Sequence, residues 1–362
     1  MSFLSDSPSE LKTTFLDFLE HLQDPNQPGY FRYSYSGDFF DASKQENIAG
    51  SIFALKMYYM LGVTDQQIIQ PIIDRVLLFQ KNDGSIYDPF VFRKSFVRNA
   101  LANLKHGNFD KMDNHQYVRA ETRQAYSALL LHEVIPEKIY SDFPTEPFAI
   151  SKFMRSLDWS KPWGAGSHFS HLMFFLSLLQ KSSQLDVTAF QAARHAALEE
   201  LASLHHETDG AWYVGNPSAL QKINGVMKVM TGLLWMDAPI ICPKKLIDLC
   251  LSHKDPIHAC DQFNKTMVLR YANEAVHGAY KRKELTEWCE KTLEEWQEYY
   301  HPEQGGFSFW KGRANARYYD AQITRGLNGA DIHGTVLFVW GLSMMAKLAP
   351  IPELNWLNEM KS

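Results

Sequence analysis

Two histidines stand three residues apart in Trp163-Gly-Ala-Gly-Ser-His168-Phe-Ser-His171, at the head of a long apolar run. On a helix that spacing puts both imidazoles on one face, and imidazole gives and takes protons near neutrality. A second group, Asp331-Ile-His333-Gly334, opens another apolar run. Asp331 and His333 are therefore candidate catalytic groups, and Gly334 would let a ligand approach the backbone. Asp261 and Asn264 lie three apart, and Asn224 and Lys228 four apart, so each pair also shares a helix face. Arg119, Glu121 and Arg123 form a further polar cluster.

These types point to proton transfer. His168, His171, His333, Asp331 and Asp261 are the candidate acids and bases. Lys228, Arg123 and helix N-termini would hold a substrate carboxylate, and Asn224 or Asn264 would hydrogen-bond its enol-like form. Glu121 joins the substrate-binding set. Trp163, Trp212, Tyr213 and Tyr319 would wall the mouth by stacking on a ring. A glycosidase would need two carboxylates about 5–10 Å apart, and Asp261 with Asp331 are the available pair. Asp331 and Asp261 also suit helix capping, whereas His, Lys and Arg at a positive helix end need an anion or carboxylate to stabilise them.

The elements that position these residues read as helices of two alternating kinds. Segments 8–22, 65–80, 145–156, 187–206, 243–252 and 281–300 are amphipathic and dotted with charge. Segments 46–61, 118–134, 167–181, 218–235, 257–275 and 331–348 are nearly apolar all round. A helix with one wet face belongs outside and one apolar around its circumference belongs inside. Six outer helices alternating with six inner ones predict an all-α chain, an (α/α)6 toroid filling residues 1–362 as a single domain. The polar clusters all fall at the first turns of inner helices, Glu46 and Asn47 included, so the site is expected at the N-terminal ends of the inner ring. Segment 91–117 exceeds what a turn needs and is expected to be an insertion roofing that face.

The turns repeat. Gln80-Lys-Asn-Asp-Gly84-Ser-Ile86, His206-Glu-Thr-Asp-Gly210-Ala-Trp212 and His301-Pro-Glu-Gln-Gly305-Gly-Phe307 share one spacing, with Gly for the tight reversal and an apolar plug two residues on. These turns resemble the QW-type repeats of terpenoid cyclases and protein prenyltransferases, and are similar to turns of other α-toroids that process sugars. The resemblance covers the hairpin turns and implies the toroid fold, without matching one specific family. The acid motif DxDD of the squalene-type cyclases is missing, the nearest string being Asp110-Lys-Met-Asp113-Asn114, and so is DDxxD. Cys260, Asp261 and His333 offer the residue types of the prenyltransferase zinc site in a different context. His333-Gly-Thr resembles the Cys-His-Gly segment of lanthipeptide cyclases, but Ile332 stands where that segment has its metal-ligand Cys. No zinc site is carried over. GxxxxGK[ST] and GxGxxG loops are absent, so no metal or cofactor is expected.

Composition bounds the rest. The chain has 362 residues, 36 basic and 41 acidic for a net charge of −5, 45% hydrophobic and 21% charged, which argues against a nucleic-acid footprint. The start lacks a secretory pattern. The most apolar run, His171 to Leu179, falls well short of the ~20 residues that span a bilayer. Cys242, Cys250, Cys260 and Cys289 form no CxxC pair, as suits free thiols in a reducing cytoplasm. The expectation is a cytoplasmic, metal-independent acid/base enzyme (epimerase, lyase or hydrolase) on a small anionic ring substrate, a sugar or uronate. The alternatives are a terpenoid cyclase or isomerase without DxDD, and a non-catalytic toroid that recognises partners.

Overall fold

Every residue of the apolar segment from Ile48 to Tyr58 is buried, while Gln66–Leu77 buries only Ile69, Ile72, Ile73, Arg75 and Val76, one stripe at helical spacing. This contrast repeats along the computed structural model, which describes residues 7–94, 115–253 and 256–361. Twelve helices are bounded within them: α1 (Pro8–Leu22), α2 (Ile48–Met60), α3 (Gln66–Leu77), α4 (His115–Leu131), α5 (Pro147–Ser156), α6 (Pro162–Lys181), α7 (Val187–Ala202), α8 (Ala219–Trp235), α9 (Pro243–Ser252), α10 (Ala259–Ala275), α11 (Arg282–Trp296) and α12 (Ile332–Leu348). A helical stretch over 89–94 follows α3. Among the described residues the fold is helical apart from two antiparallel strand pairs of two residues each, β1 (Tyr300–His301) with β2 (Gly306–Phe307), and β3 (Arg317–Tyr318) with β4 (Ala321–Gln322). The expected insertion at 91–117 falls mostly on 95–114, outside the described residues.

The even-numbered helices pack on one another in chain order: α2 on α4, α4 on α6, α6 on α8, α8 on α10, α10 on α12, and α12 back on α2. Odd-numbered helices lie against them, α3 on α2, α7 on α6, α9 on α10 and α11 on α12. Buried apolar side chains form one contiguous cluster from Leu11 to Met360.

The three repeated turns share a geometry. Gly84, Gly210 and Gly305 all have φ between +71° and +85°, the region glycine enters without penalty. Their flanks pair as Gln80 with Ile86, His205 with Trp212, and Tyr300 with Phe307. Each turn seats on the next element: a Cβ on Gly84 would meet the Lys138 carbonyl, one on Gly210 the Leu246 side chain, and one on Gly305 the Thr14 carbonyl of α1. The plugs Ile86, Trp212 and Phe307 are buried.

Two expectations change. Helix α6 begins at Pro162, five residues before the expected start at 167, so Gly164 and Gly166 lie within the helix. Pro at the first helical position is preorganised for that start, and Gly166 sits against the Gly225 carbonyl of α8. Gly334 is approached by the backbone of Ser308 and Phe309, which a Cβ would meet at 2.5–2.6 Å, so a loop of the protein, and no ligand, uses its missing side chain.

Candidate active site

Asp331 organises the floor of the site. Its Oδ1 accepts the Gly334 N–H at 2.8 Å, capping α12, and its Oδ2 accepts the N–H groups of Phe309 and Asn315 at 2.8 and 2.9 Å. Its backbone joins Phe307, and Ile332 N–H donates to the Tyr33 carbonyl. The carboxylate thus ties the start of α12 to the 307–315 loop, while segment 31–35 is held by the main chain alongside. Burial pushes its pKa up to about 6 against these backbone donors. A carboxylate saturated by three N–H groups fixes a loop more readily than it delivers a proton.

That framework sets His333 in an aromatic box. Its ring stacks on Phe53 at 4.8 Å between centroids, with Phe309 at 4.9 Å and the edges of Tyr318 and Tyr33 at 5.8 and 6.3 Å. The Tyr33 hydroxyl lies 2.9 Å from Nδ1, and Asn315 Nδ2 donates to the same hydroxyl at 3.4 Å. Burial, with His258 and Lys56 nearby, lowers the His333 pKa to about 3, so the ring is neutral at physiological pH. A phenol oxygen accepts or donates, so the pair can leave Nε2 either as a lone pair or as an N–H.

Glu121 and the β3–β4 hairpin adjoin this box through Tyr318. Tyr318 donates to Glu121 Oε2 at 2.6 Å. Glu121 is completely buried, and Oε1 has no hydrogen-bond partner among the described residues. Burial pushes its carboxyl up to about 8, against the Tyr318 bond that favours the anion. The hairpin reverses through Tyr319 and Asp320, both left-handed at φ +43° and +68°, the pattern of a type I′ turn that usually takes Gly or Asn. A bulky residue is held in this costly conformation, placing the Tyr319 ring 4.7 Å from Tyr318 and 4.9 Å from Tyr117.

Cations gather beside them. Lys56 of α2 and Arg123 of α4 are 5% and 8% exposed. Lys56 donates to Gln124 Oε1. Arg123 Nε and Nη2 have no partner among the described residues, its guanidinium lying 5.4 Å from the Phe174 ring. Lys228 of α8 approaches the Trp163 ring at 5.9 Å. Burial lowers Lys56 to about 7, Lys228 to about 8 and Arg123 to about 10, and Arg123 pushes both lysines down further. His171 is 4% exposed, with Nδ1 unpartnered among the described residues and Nε2 3.4 Å from Ser167 Oγ. Burial, then Arg123 and Lys228, hold it well below its usual range. Cys260 of α10 feels Lys228 and Asp331, and burial raises its thiol to about 12. Each of the six even-numbered helices therefore contributes to one electrostatic neighbourhood.

The other sequence candidates fall outside this centre or are already committed. His168 lies between His171 and Phe153 of α5, 6.4 Å from each ring, and feels Arg119; Arg119 itself binds Asp142. Asn264 donates to Asn224 and Asn224 to Asp261, at 2.8 and 2.9 Å, a closed amide chain between α10 and α8. Trp212 is buried as a turn plug. Tyr213 bonds Asp209 and Lys222 and stacks on His206. Trp163 is 53% exposed. Asn47 and Glu46 serve the main chain, Asn47 Oδ1 accepting from Gly50 and Glu46 Oε2 from Asp41.

Sequence reasoning missed Lys56, Tyr33 and Asn315. Lys56 had a visible signal, the single charge inside the otherwise apolar helix Ile48–Met60. Tyr33 and Asn315 had none, since Tyr33 meets His333 across 300 residues of chain and Asn315 meets Tyr33 across 282. No family model, curated protein or solved structure matches this chain.

Proposed function

We propose that the protein is an (α/α)6 toroid whose inner helices, from the first turn of α12 to the middle of α4, α6 and α8, form the active site of an acid/base enzyme acting on a small anionic substrate. The cyclic order of contacts among α2, α4, α6, α8, α10 and α12, and the seating of the Gly305 turn on α1, support the ring. The observation that carries the chemistry is Glu121: a buried carboxyl, protonated near neutrality, with one oxygen bonded to Tyr318 and the other unpartnered among the described residues. Such a group is poised as a general acid. His333, neutral and coupled to Tyr33, is a hydrogen-bonding group for the substrate beside it, and Glu121 once ionised returns as the base. Lys56, Arg123 and Lys228 attract the substrate's negative charge, and Tyr319 covers it. Asp331 positions this machinery, and Asp261, Asn224 and Asn264 brace α8 against α10. The substrate class is a sugar acid or a related polyhydroxy anion, in a protein without a membrane-crossing helix among the described residues.

A cyclase or isomerase of prenyl substrates is the second reading, favoured by the aromatic box around His333. A thermal-shift panel of uronates, neutral sugars and prenyl diphosphates, run on wild type and His333→Ala, separates the two. Stabilisation by an anionic sugar, with solvent deuterium entering one carbon position in wild type and not in Glu121→Gln, is the expected result. Stabilisation by a prenyl diphosphate alone would move the assignment to the second reading, and silence across the panel would leave a non-catalytic role.

A further inference from the structure

We infer that Tyr33 and Asn315 are positioning residues that fix His333 as the tautomer with its proton on Nε2, so that the ring meets the substrate as a hydrogen-bond donor. Asn315 sets the direction of the chain. Its main-chain N–H donates to Asp331 Oδ2 at 2.9 Å, and its side-chain Oδ1 accepts the Arg317 N–H at 3.4 Å. The amide is thereby turned with Nδ2 towards the Tyr33 hydroxyl, to which it donates at 3.4 Å. An amide nitrogen only donates, so the phenol oxygen is the acceptor of that bond. Tyr33 is fully buried, and its hydroxyl has one other hydrogen-bond neighbour among the described residues, His333 Nδ1 at 2.9 Å. The single phenol proton therefore goes to Nδ1, which carries the lone pair that receives it.

Every other arrangement strands a buried hydrogen. With a proton on Nδ1, or on both ring nitrogens, Nδ1–H and Asn315 Nδ2 would both donate to the phenol oxygen, and the buried Tyr33 O–H would have no acceptor among the described residues. The chain from Asn315 through Tyr33 to His333 instead runs donor to acceptor at each link. The partner of one imidazole nitrogen decides the state of the other, so the hydrogen sits on Nε2. That nitrogen makes no hydrogen bond among the described residues. Its ring lies against Phe53, Phe309 and the edge of Tyr318, the phenol that also bonds Glu121. An N–H in these surroundings takes an acceptor, a carbonyl or carboxylate oxygen of the substrate, and holds it best as negative charge grows there. The use of this donor rests on the acid/base reading, in which Glu121 moves the proton; the tautomer itself does not.

The test is the ring-nitrogen NMR spectrum of His333 in the ligand-free, isotope-labelled protein, assigned by its loss in His333→Ala. Long-range proton–nitrogen correlations separate the nitrogen that carries hydrogen from the one that holds the lone pair. Wild type is expected to show a pyrrole-type Nε2 and a pyridine-type Nδ1. Asn315→Asp, recorded at alkaline pH where the introduced carboxyl is ionised, reverses the chain. That carboxylate accepts the Tyr33 proton, the phenol oxygen then accepts from Nδ1–H, and the two nitrogen signals should trade character. Tyr33→Phe removes the relay, and the two signals should shift towards each other as the tautomers mix. A pyridine-type Nε2 or an imidazolium spectrum in wild type would overturn the inference, and so would ring signals that match wild type in both variants. The wild-type spectrum decides alone should a variant not fold. Deuterium uptake by the substrate keeps the two claims apart. A pyrrole-type Nε2 in a protein that exchanges no substrate hydrogen sinks the acid/base reading alone, and a pyridine-type Nε2 in one that does exchange it sinks this inference alone.

Discussion

The Tyr318 hydroxyl meets Glu121 Oε2 at 2.6 Å although the two residues are 197 apart in the chain. The bond joins the strained tip of the β3–β4 hairpin to the first turns of α4 and is the main interaction favouring the ionised form of an otherwise desolvated carboxyl. The loop that covers the site therefore also adjusts the acid within it.

Removing that hydroxyl should make Glu121 a weaker acid. In Tyr318→Phe the carboxyl loses its stabilising donor, so its pKa moves further above about 8. The Glu121 carboxyl signal, followed by carbon NMR against pH, should titrate higher than in wild type. The protein should lose about 1 kcal/mol in urea unfolding. An unchanged titration would show that the bond does not set the acidity of this group.

Glu121 also leaves a signature in stability. Its folded pKa, about 8, lies above the ordinary carboxyl value, so between about pH 4.5 and 8 the folded protein holds a proton that the unfolded chain has released. Stability from this group is complete below that window and is lost as pH rises through it. Glu121→Gln stays uncharged throughout and should lack the decline, gaining on wild type by on the order of 1–3 kcal/mol between pH 5 and 8. His333, held down to about 3, acts in the opposite direction, its contribution being lost as pH falls from about 6.5 towards 3. Melting curves of both proteins across pH 4–9 read the difference, and parallel curves would contradict it.

Asp331→Asn tests whether this residue is a scaffold or an acid. The amide keeps one acceptor oxygen where the carboxylate serves Gly334, Phe309 and Asn315 with two. The expected cost is about 2–4 kcal/mol, from buried N–H groups left unsatisfied, read by urea denaturation. Faster amide exchange at Phe309 and Asn315 should accompany it. A variant of wild-type stability that lacked activity would instead assign Asp331 to proton transfer.

Gly225→Ala probes the α6–α8 contact. A Cβ there would stand 2.6 Å from Pro162 Cβ and 3.0 Å from its carbonyl carbon, so the helices must part. Overpacking of this kind costs about 1–3 kcal/mol. Since α6 and α8 carry His171 and Lys228, the substitution should also weaken anion binding several-fold. Thermal unfolding together with a uronate titration measures both effects.

Helix after helix could be read from the sequence because burial writes itself into composition. Ile48–Tyr58 is apolar because every side chain in it is covered, and the stripe of α3 is apolar every third or fourth position because only that face is. The turn glycines were legible for an equally local reason, since a left-handed φ has few other occupants. His171, His333, Glu121, Arg123 and Lys228 could likewise be picked out as costly residues in apolar helices, but only His333 lies in a first turn: His171, Arg123 and Lys228 stand midway along α6, α4 and α8, because those helices begin before the polar residues expected to open them or run straight through them.

Which of those residues meet, and which are already committed, was decided by the tertiary structure. His168 and His171 do share a helix face, their rings 6.4 Å apart, but His168 also meets Phe153 of an outer helix while His171 is buried and feels Arg123 and Lys228. Asp331 and Glu121 are both buried carboxyls; one is saturated by backbone donors brought from residues 309 and 315, while the other is left with an open oxygen. Lys56 became part of the site only when α2 was packed beside α4 and α12. A residue's own chemistry and helical phase are local properties that the chain carries with it. Protonation state, hydrogen-bond commitment and the choice of neighbour depend on desolvation and on groups hundreds of residues away, and those exist only once the helices have packed.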